Sequence, residues 1–142
     1  MLGKIGRDEI LGRQFSNQFV AIVKDEKEEA PRHPELLTLD ERLYISPAVA
    51  VAEATKAVAH MGEIALENFK LESAVMQKYD PVAVAVINED EECLDQFSDL
   101  SDRFLIGLSK AVETEVDDRQ LDMLLQTVPS FERVGDYGTN LV

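Results

Sequence analysis

Two pairs of acidic residues have a spacing that chemistry can use. Glu91 and Asp95 stand four residues apart beside Leu94, and Glu132 and Asp136 stand four apart beside Phe131. On an α-helix this spacing puts both carboxylates on one face, with β-carbons about 5–6 Å apart. Like charges held that close repel one another unless a cation joins them. Four oxygen donors from two helices would suit a hard, octahedral ion such as magnesium, manganese, calcium or oxidised iron, and they disfavour a structural zinc. The alternative is a solvated acidic face. Between residues 80 and 118 twelve acids stand against Arg103 and Lys110, and most charge runs are no more than that. Spacing alone leaves both readings open.

The pairs need helices to carry them, and cap chemistry marks where those helices start. Ser46-Pro47 and Asp80-Pro81 each place an N-capping oxygen before a proline at the first helical position, where the missing N–H costs nothing. Asp117 and Asp118 offer a third cap. The predicted helices run over 47–78, 81–113 and 118–142. Their apolar residues recur at helical spacing: Val51, Ala54, Val58, Met61, Ala65 and Val75 on the first; Ile87, Leu94, Phe97, Phe104, Leu105, Leu108 and Val112 on the second; Leu121, Leu124, Val128 and Phe131 on the third. The alternating Val82 to Val86 run reads as a strand in isolation, but alanines fill its alternate positions and it leads straight into a helical stripe. Long helices with short turns predict an all-α fold, an antiparallel three-helix bundle.

Register then decides which acids meet. If the turn between the second and third helices centres near Glu115, Asp95 comes level with Asp136. Glu91 then faces the neighbourhood of Asn140, and Glu132 faces Ser98 and Asp99. Asp99 and Asn140 become candidate further ligands or supporting groups, and Arg133 a candidate neutralising partner. Pro129, one turn before Glu132, lacks a backbone N–H and is expected to bend the third helix. Gly135 and Gly138 weaken that helix locally but let another helix or a metal come close.

Composition bounds the rest. The 142 residues form one domain of a size that buries roughly two-thirds of its unfolded surface. A formal charge of −14 argues against a nucleic-acid partner, which needs a basic face. The single cysteine excludes a disulfide framework and points to a reducing compartment. Apolar runs fall far short of the roughly 20 residues that cross a bilayer, and the first residues lack the apolar core of a secretory signal. Residues 1–35 read as an amphipathic segment, with Ile10, Phe15, Phe19, Ile22 and Val23 at roughly helical spacing, followed by a charged, proline-bearing linker; residues 36–142 read as the bundle.

The acidic motifs also carry a resemblance. Phe131-Glu132-Arg133-Val134-Gly135-Asp136, followed by Asn140-Leu141, resembles the Glu-Arg-Ile-Gly-Asp-x-x-x-Asn signature of the PhoU family of phosphate-uptake regulators. Glu91-Glu92-Cys93-Leu94-Asp95 is similar to the family's other acidic motif, one helix earlier. Leu39 to Ala48 resembles the start of the PhoU-like domain at the C-terminal end of bacterial sodium/phosphate cotransporters. The resemblance implies a regulatory, non-enzymatic three-helix unit whose Glu91, Asp95, Glu132 and Asp136 bind metal, iron being favoured by the family. It implies a place at the cytoplasmic face of the cell membrane beside a membrane-embedded phosphate transporter, in the same longer chain or in a complex. Residues 1–23 would then be either the connection from the last membrane helix or a leader without defined structure. Stand-alone family members hold two units in tandem, so a homodimer is the expected way for this single unit to supply the second.

Two rival functions remain at this stage: a metal-free dimerisation or docking module, and a carboxylate-bridged metal hydrolase. No Glu-x-x-His pair, phosphate-binding glycine loop or dinucleotide fingerprint is present. Cys93 reads as a small, partly buried side chain, His60 as a helix-surface residue and His33 as part of the linker.

Overall fold

The structure, a computed structural model, describes residues 32–141, with side chains described through Asp136. The amphipathic segment over 1–23 and the side chain of Asn140 lie outside what is described. Two short 3₁₀ turns, Pro34–Leu37 and Glu41–Ile45, lead into three helices: α1 (Pro47–Gln77), α2 (Pro81–Ser109) and α3 (Glu115–Leu141). Each helix packs on the other two, and both turns pack against α1 and α2. This is the all-α three-helix bundle that the hydrophobic periodicity calls for. The first two helices are each about 45 Å long at 1.5 Å per residue.

The helix ends follow local chemistry, with two departures from expectation. Asp80 caps α2 as expected, its side chain accepting from the Val82 N–H at 2.9 Å. Ser46 precedes Pro47 at the start of α1, but its side chain makes no capping hydrogen bond. The third helix begins earlier than Asp117, because Thr114 is the cap: its Oγ1 accepts from the Asp117 N–H at 3.1 Å. Asp117 and Asp118 sit instead in the first turn, where they complement the helix dipole. α2 ends at Ser109, and the backbone turns through Lys110 to Val112. α3 runs through Pro129 without interruption.

The expected apolar stripes are the core. Val51, Ala54, Val58, Met61, Ala65 and Val75 of α1 are buried, as are Ile87, Leu94, Phe97, Phe104, Leu105 and Leu108 of α2 and Leu121, Leu124 and Val128 of α3. Phe131 and Val112 pack at its edge. Leu36 and Leu39 enter the same core, so the chain before α1 is fastened to the bundle. Burying a leucine side chain contributes about 2 kcal/mol, which explains how so polar a segment is held. Tyr44 adds a second anchor, donating to the Phe104 carbonyl at 2.7 Å while its ring lies 5.2 Å from that of Phe104. Among the described residues, no helix is long and apolar enough to cross a membrane.

Candidate metal centre

α2 and α3 lie side by side, Asp95 meets Asp136 where the register places them, and Glu91 joins the pair against Gly135. Glu91, Asp95 and Asp136 each offer a carboxylate oxygen within 4.8 Å of the other two. Two come from successive turns of α2 and one from α3, so no single helix face builds the group. The physical reason is the core stripe: Leu94 and Phe97 turn into the bundle, which leaves Glu91 and Asp95 at the α2–α3 seam.

Gly135 lets Glu91 reach that seam. It is buried, and a β-carbon added there would sit 3.1 Å from Glu91 Cδ and Oε2 and closer still to Oε1. The glycine therefore leaves the space that the Glu91 carboxylate fills. Glu91 is thus set over Gly135. Like charge gathers around it. Asp95 and Asp136 are exposed, yet the Asp95 carboxyl is held above its ordinary range by partial desolvation against the neighbouring helix, then by Glu132, Asp136, Asp99 and Glu92 around it. A site that resists ionisation in this way is one where a cation would relieve repulsion.

The fourth expected ligand, Glu132, stands slightly apart. Ser98 donates to Glu132 Oε2 at 2.5 Å, the cross-helix pairing that the register predicts. Glu132 belongs with Asp99 and Asp102: the Asp102 carboxyl is raised by burial and then by Glu132 and Asp99. Asp99 and Arg133 are exposed, and Arg133 makes no ion pair among the described residues. Three of the four candidate ligands therefore converge, with Glu132 in a neighbouring acidic group.

Sequence reading missed two polar groups near this seam. Glu72 of α1 is buried, its Oε1 has no hydrogen-bond partner, and its pKa is pushed up to about 7, first by burial and then by Glu91. Asn68, one turn earlier, is fully buried and donates to the Ile87 carbonyl at 3.3 Å. The available signal was their phase: both continue the stripe of Met61, Ala65 and Val75, where polar residues interrupt an apolar face. Cys93 is buried as expected, and burial pushes its thiol pKa up. Such a thiol is not a ready nucleophile.

Two histidines are placed differently from the sequence reading. His33 does not end a free linker, and His60 is not an isolated surface residue. They face each other with ring centroids 5.7 Å apart, and Glu35 stands between them. The first 3₁₀ turn, anchored by Leu36, brings this about.

The PhoU domain family matches residues 58–142, more than half of the chain. The chain belongs to the PhoU family. The matched stretch holds most of α1 and all of α2 and α3, including the acidic seam. PhoU membership gives the chain a regulatory role in phosphate homeostasis, in a family that is in general not enzymatic. The segment that resembles cotransporter domains, Leu39 to Ala48, precedes the match. No curated protein and no solved structure gives a significant match to the chain.

Proposed function

We propose that this PhoU domain regulates phosphate transport by holding a hard metal ion at the α2–α3 seam through Glu91, Asp95 and Asp136. The observation that carries the reading is the convergence of these three carboxylates within 4.8 Å from two helices. Two features support the fit. Gly135 leaves the space that the Glu91 carboxylate occupies, and the buried Glu72 Oε1 beside Glu91 lacks a hydrogen-bond donor. All-oxygen donors favour iron in its oxidised state, manganese or magnesium, and the family resemblance favours iron. Glu132 and Asp99 are near enough in charge to act on Asp95, so they extend the acidic surface along which further ions would sit.

A bound cation offsets the local negative charge and offers coordination positions of its own. So acidic a surface repels phosphate, whereas a metal with open coordination positions attracts it. Phosphate level would in this way be read at the seam. The regulated partner is a membrane-embedded phosphate transporter, in the same longer chain or in a complex, and self-association supplies the second unit that tandem relatives carry. The similarity of Leu39 to Ala48 to cotransporter domains supports the transporter link. Calorimetry tests the reading: manganese is titrated into chelator-treated protein, and phosphate into the loaded protein. Binding of both, with phosphate heat lost when metal is omitted, is expected. Phosphate binding of equal strength without metal would reject it.

A further inference from the structure

A second cluster of ligating groups lies where the Pro34–Leu37 turn meets α1, at the packed start of the described chain. His33, Glu35 and His60 each offer a donor atom within 4.8 Å of the other two. His33 presents Nδ1 to Glu35 Oε1 at 3.6 Å, and His60 presents Nε2 to the same oxygen at 2.5 Å. The second contact is the closer of the two, so one Glu35 oxygen joins both rings.

The outward nitrogens are equally ordered. His33 Nε2 lies 2.9 Å from Asp90 Oδ1, and His60 Nδ1 lies 3.2 Å from Glu63 Oε1. Asp90 is buried, and Arg32 Nε holds the same Asp90 oxygen at 2.6 Å. Each imidazole therefore uses one nitrogen to contact a carboxylate outside the cluster and turns the other inward to Glu35. Metal-bound histidines have this arrangement, because the outer carboxylate fixes the tautomer and raises the basicity of the inner nitrogen. A cavity of about 400 Å³ opens beside the group, lined by His33, His60, Glu63, Glu67 and Asp90 among others. It gives an ion a path of entry.

We infer that His33, Glu35 and His60 form a binding site for a borderline divalent transition metal such as zinc, which clips the Pro34–Leu37 turn to α1. Two imidazoles and one carboxylate are a zinc-type donor set that leaves a position for water. This chemistry differs from the all-oxygen seam, and the two sites share no residue. The inference does not rest on the function proposed above.

The test uses the full chain carrying Asp95→Asn and Asp136→Asn, so that the seam keeps only one of its three donors. Chelator-treated protein is titrated with zinc by calorimetry, with circular dichroism verifying the fold. One equivalent of zinc is expected to bind, and adding His60→Gln is expected to weaken it at least tenfold; Asp90→Asn, which removes only the outer carboxylate, weakens it by about tenfold. In the otherwise unmodified protein, NMR of the histidine rings supplies a readout that needs no ligand variant, because the chain has only two histidines. Both ring signals shift together at one equivalent of zinc. The inference is overturned if the folded Asp95→Asn, Asp136→Asn protein binds no zinc, if His60→Gln leaves the affinity unchanged, or if zinc binds while the ring signals stay in place.

Discussion

Gly135→Ala separates the proposed metal role of the seam from its packing role. In a helix interior alanine is about 1 kcal/mol more favourable than glycine, so the backbone alone predicts a more stable protein. The new methyl group would, however, stand 3.1 Å from Glu91 Cδ and Oε2 and closer still to Oε1. Ordinary contact needs roughly 3.4–4 Å, so the carboxylate must swing aside by about 1 Å. Glu91 has a flexible side chain and can make that movement at little cost to the fold. Metal ligands tolerate only about 0.2 Å, so the seam loses a donor. Chelator-treated Gly135→Ala is expected to melt at the parental temperature or a few degrees higher, while its manganese affinity by calorimetry falls about tenfold or more. Gly62→Ala is the control, because a β-carbon there meets the Phe131 ring at 2.8 Å. A ring cannot bend away, so overpacking costs about 1–3 kcal/mol without a selective loss of metal. Parental metal affinity in a folded Gly135→Ala protein would refute the reasoning.

Three further predictions follow from the electrostatics of the bundle. Asp95→Asn raises the melting temperature of metal-free protein, because partial desolvation and four neighbouring acids oppose ionisation of Asp95, and it lowers the melting temperature of manganese-loaded protein; the same direction in both states contradicts a ligand role. Glu72 has a pKa raised from 4.5 to about 7, so metal-free protein loses stability as pH rises between those values and recovers it on acidification. Glu72→Gln removes that dependence: relative to the parent it gains roughly 2–3 kcal/mol between pH 4.5 and pH 8, which denaturation with urea at the two pH values reads, and an equal effect at both would refute the assignment. Thr114→Ala removes the cap of α3 and costs about 1 kcal/mol, whereas Asp117→Asn, with the cap intact, costs only a few tenths; the reverse order in thermal unfolding would return the cap to Asp117.

The bundle was legible because its signals are local. Pro47 and Pro81 mark two helix starts to the residue, and the three-four apolar spacing names most core side chains of α1 and α2, passing over Ala50, Ala57 and Ile64 at the edges of the stripe. The third start was misread because Thr114, followed three residues later by Asp117, forms a capping pair upstream of the more conspicuous Asp117-Asp118. At the seam, register alone brings Asp95 to Asp136 and Ser98 to Glu132, since two helices joined by a short turn leave little freedom to slide. Glu72 was passed over although its phase on the apolar stripe of α1 marked it, because a lone glutamate reads as solvated until its burial beside Glu91 is seen. The histidine cluster was least legible. His33 and Asp90 are 57 positions apart in the chain, and they meet only because Leu36 and Leu39 carry a charged segment into the core. Composition made that segment look like a linker; two leucines at the right phase decided otherwise.

The most direct test of the central claim is elemental analysis by mass spectrometry of the protein purified without chelator, beside the Asp95→Asn, Asp136→Asn variant. A stoichiometric hard metal, iron first and manganese or magnesium otherwise, is expected in the parent and is lost from the folded variant. A parent that stays free of such metal after incubation with excess iron and manganese, or a folded variant that retains the full complement, would contradict it.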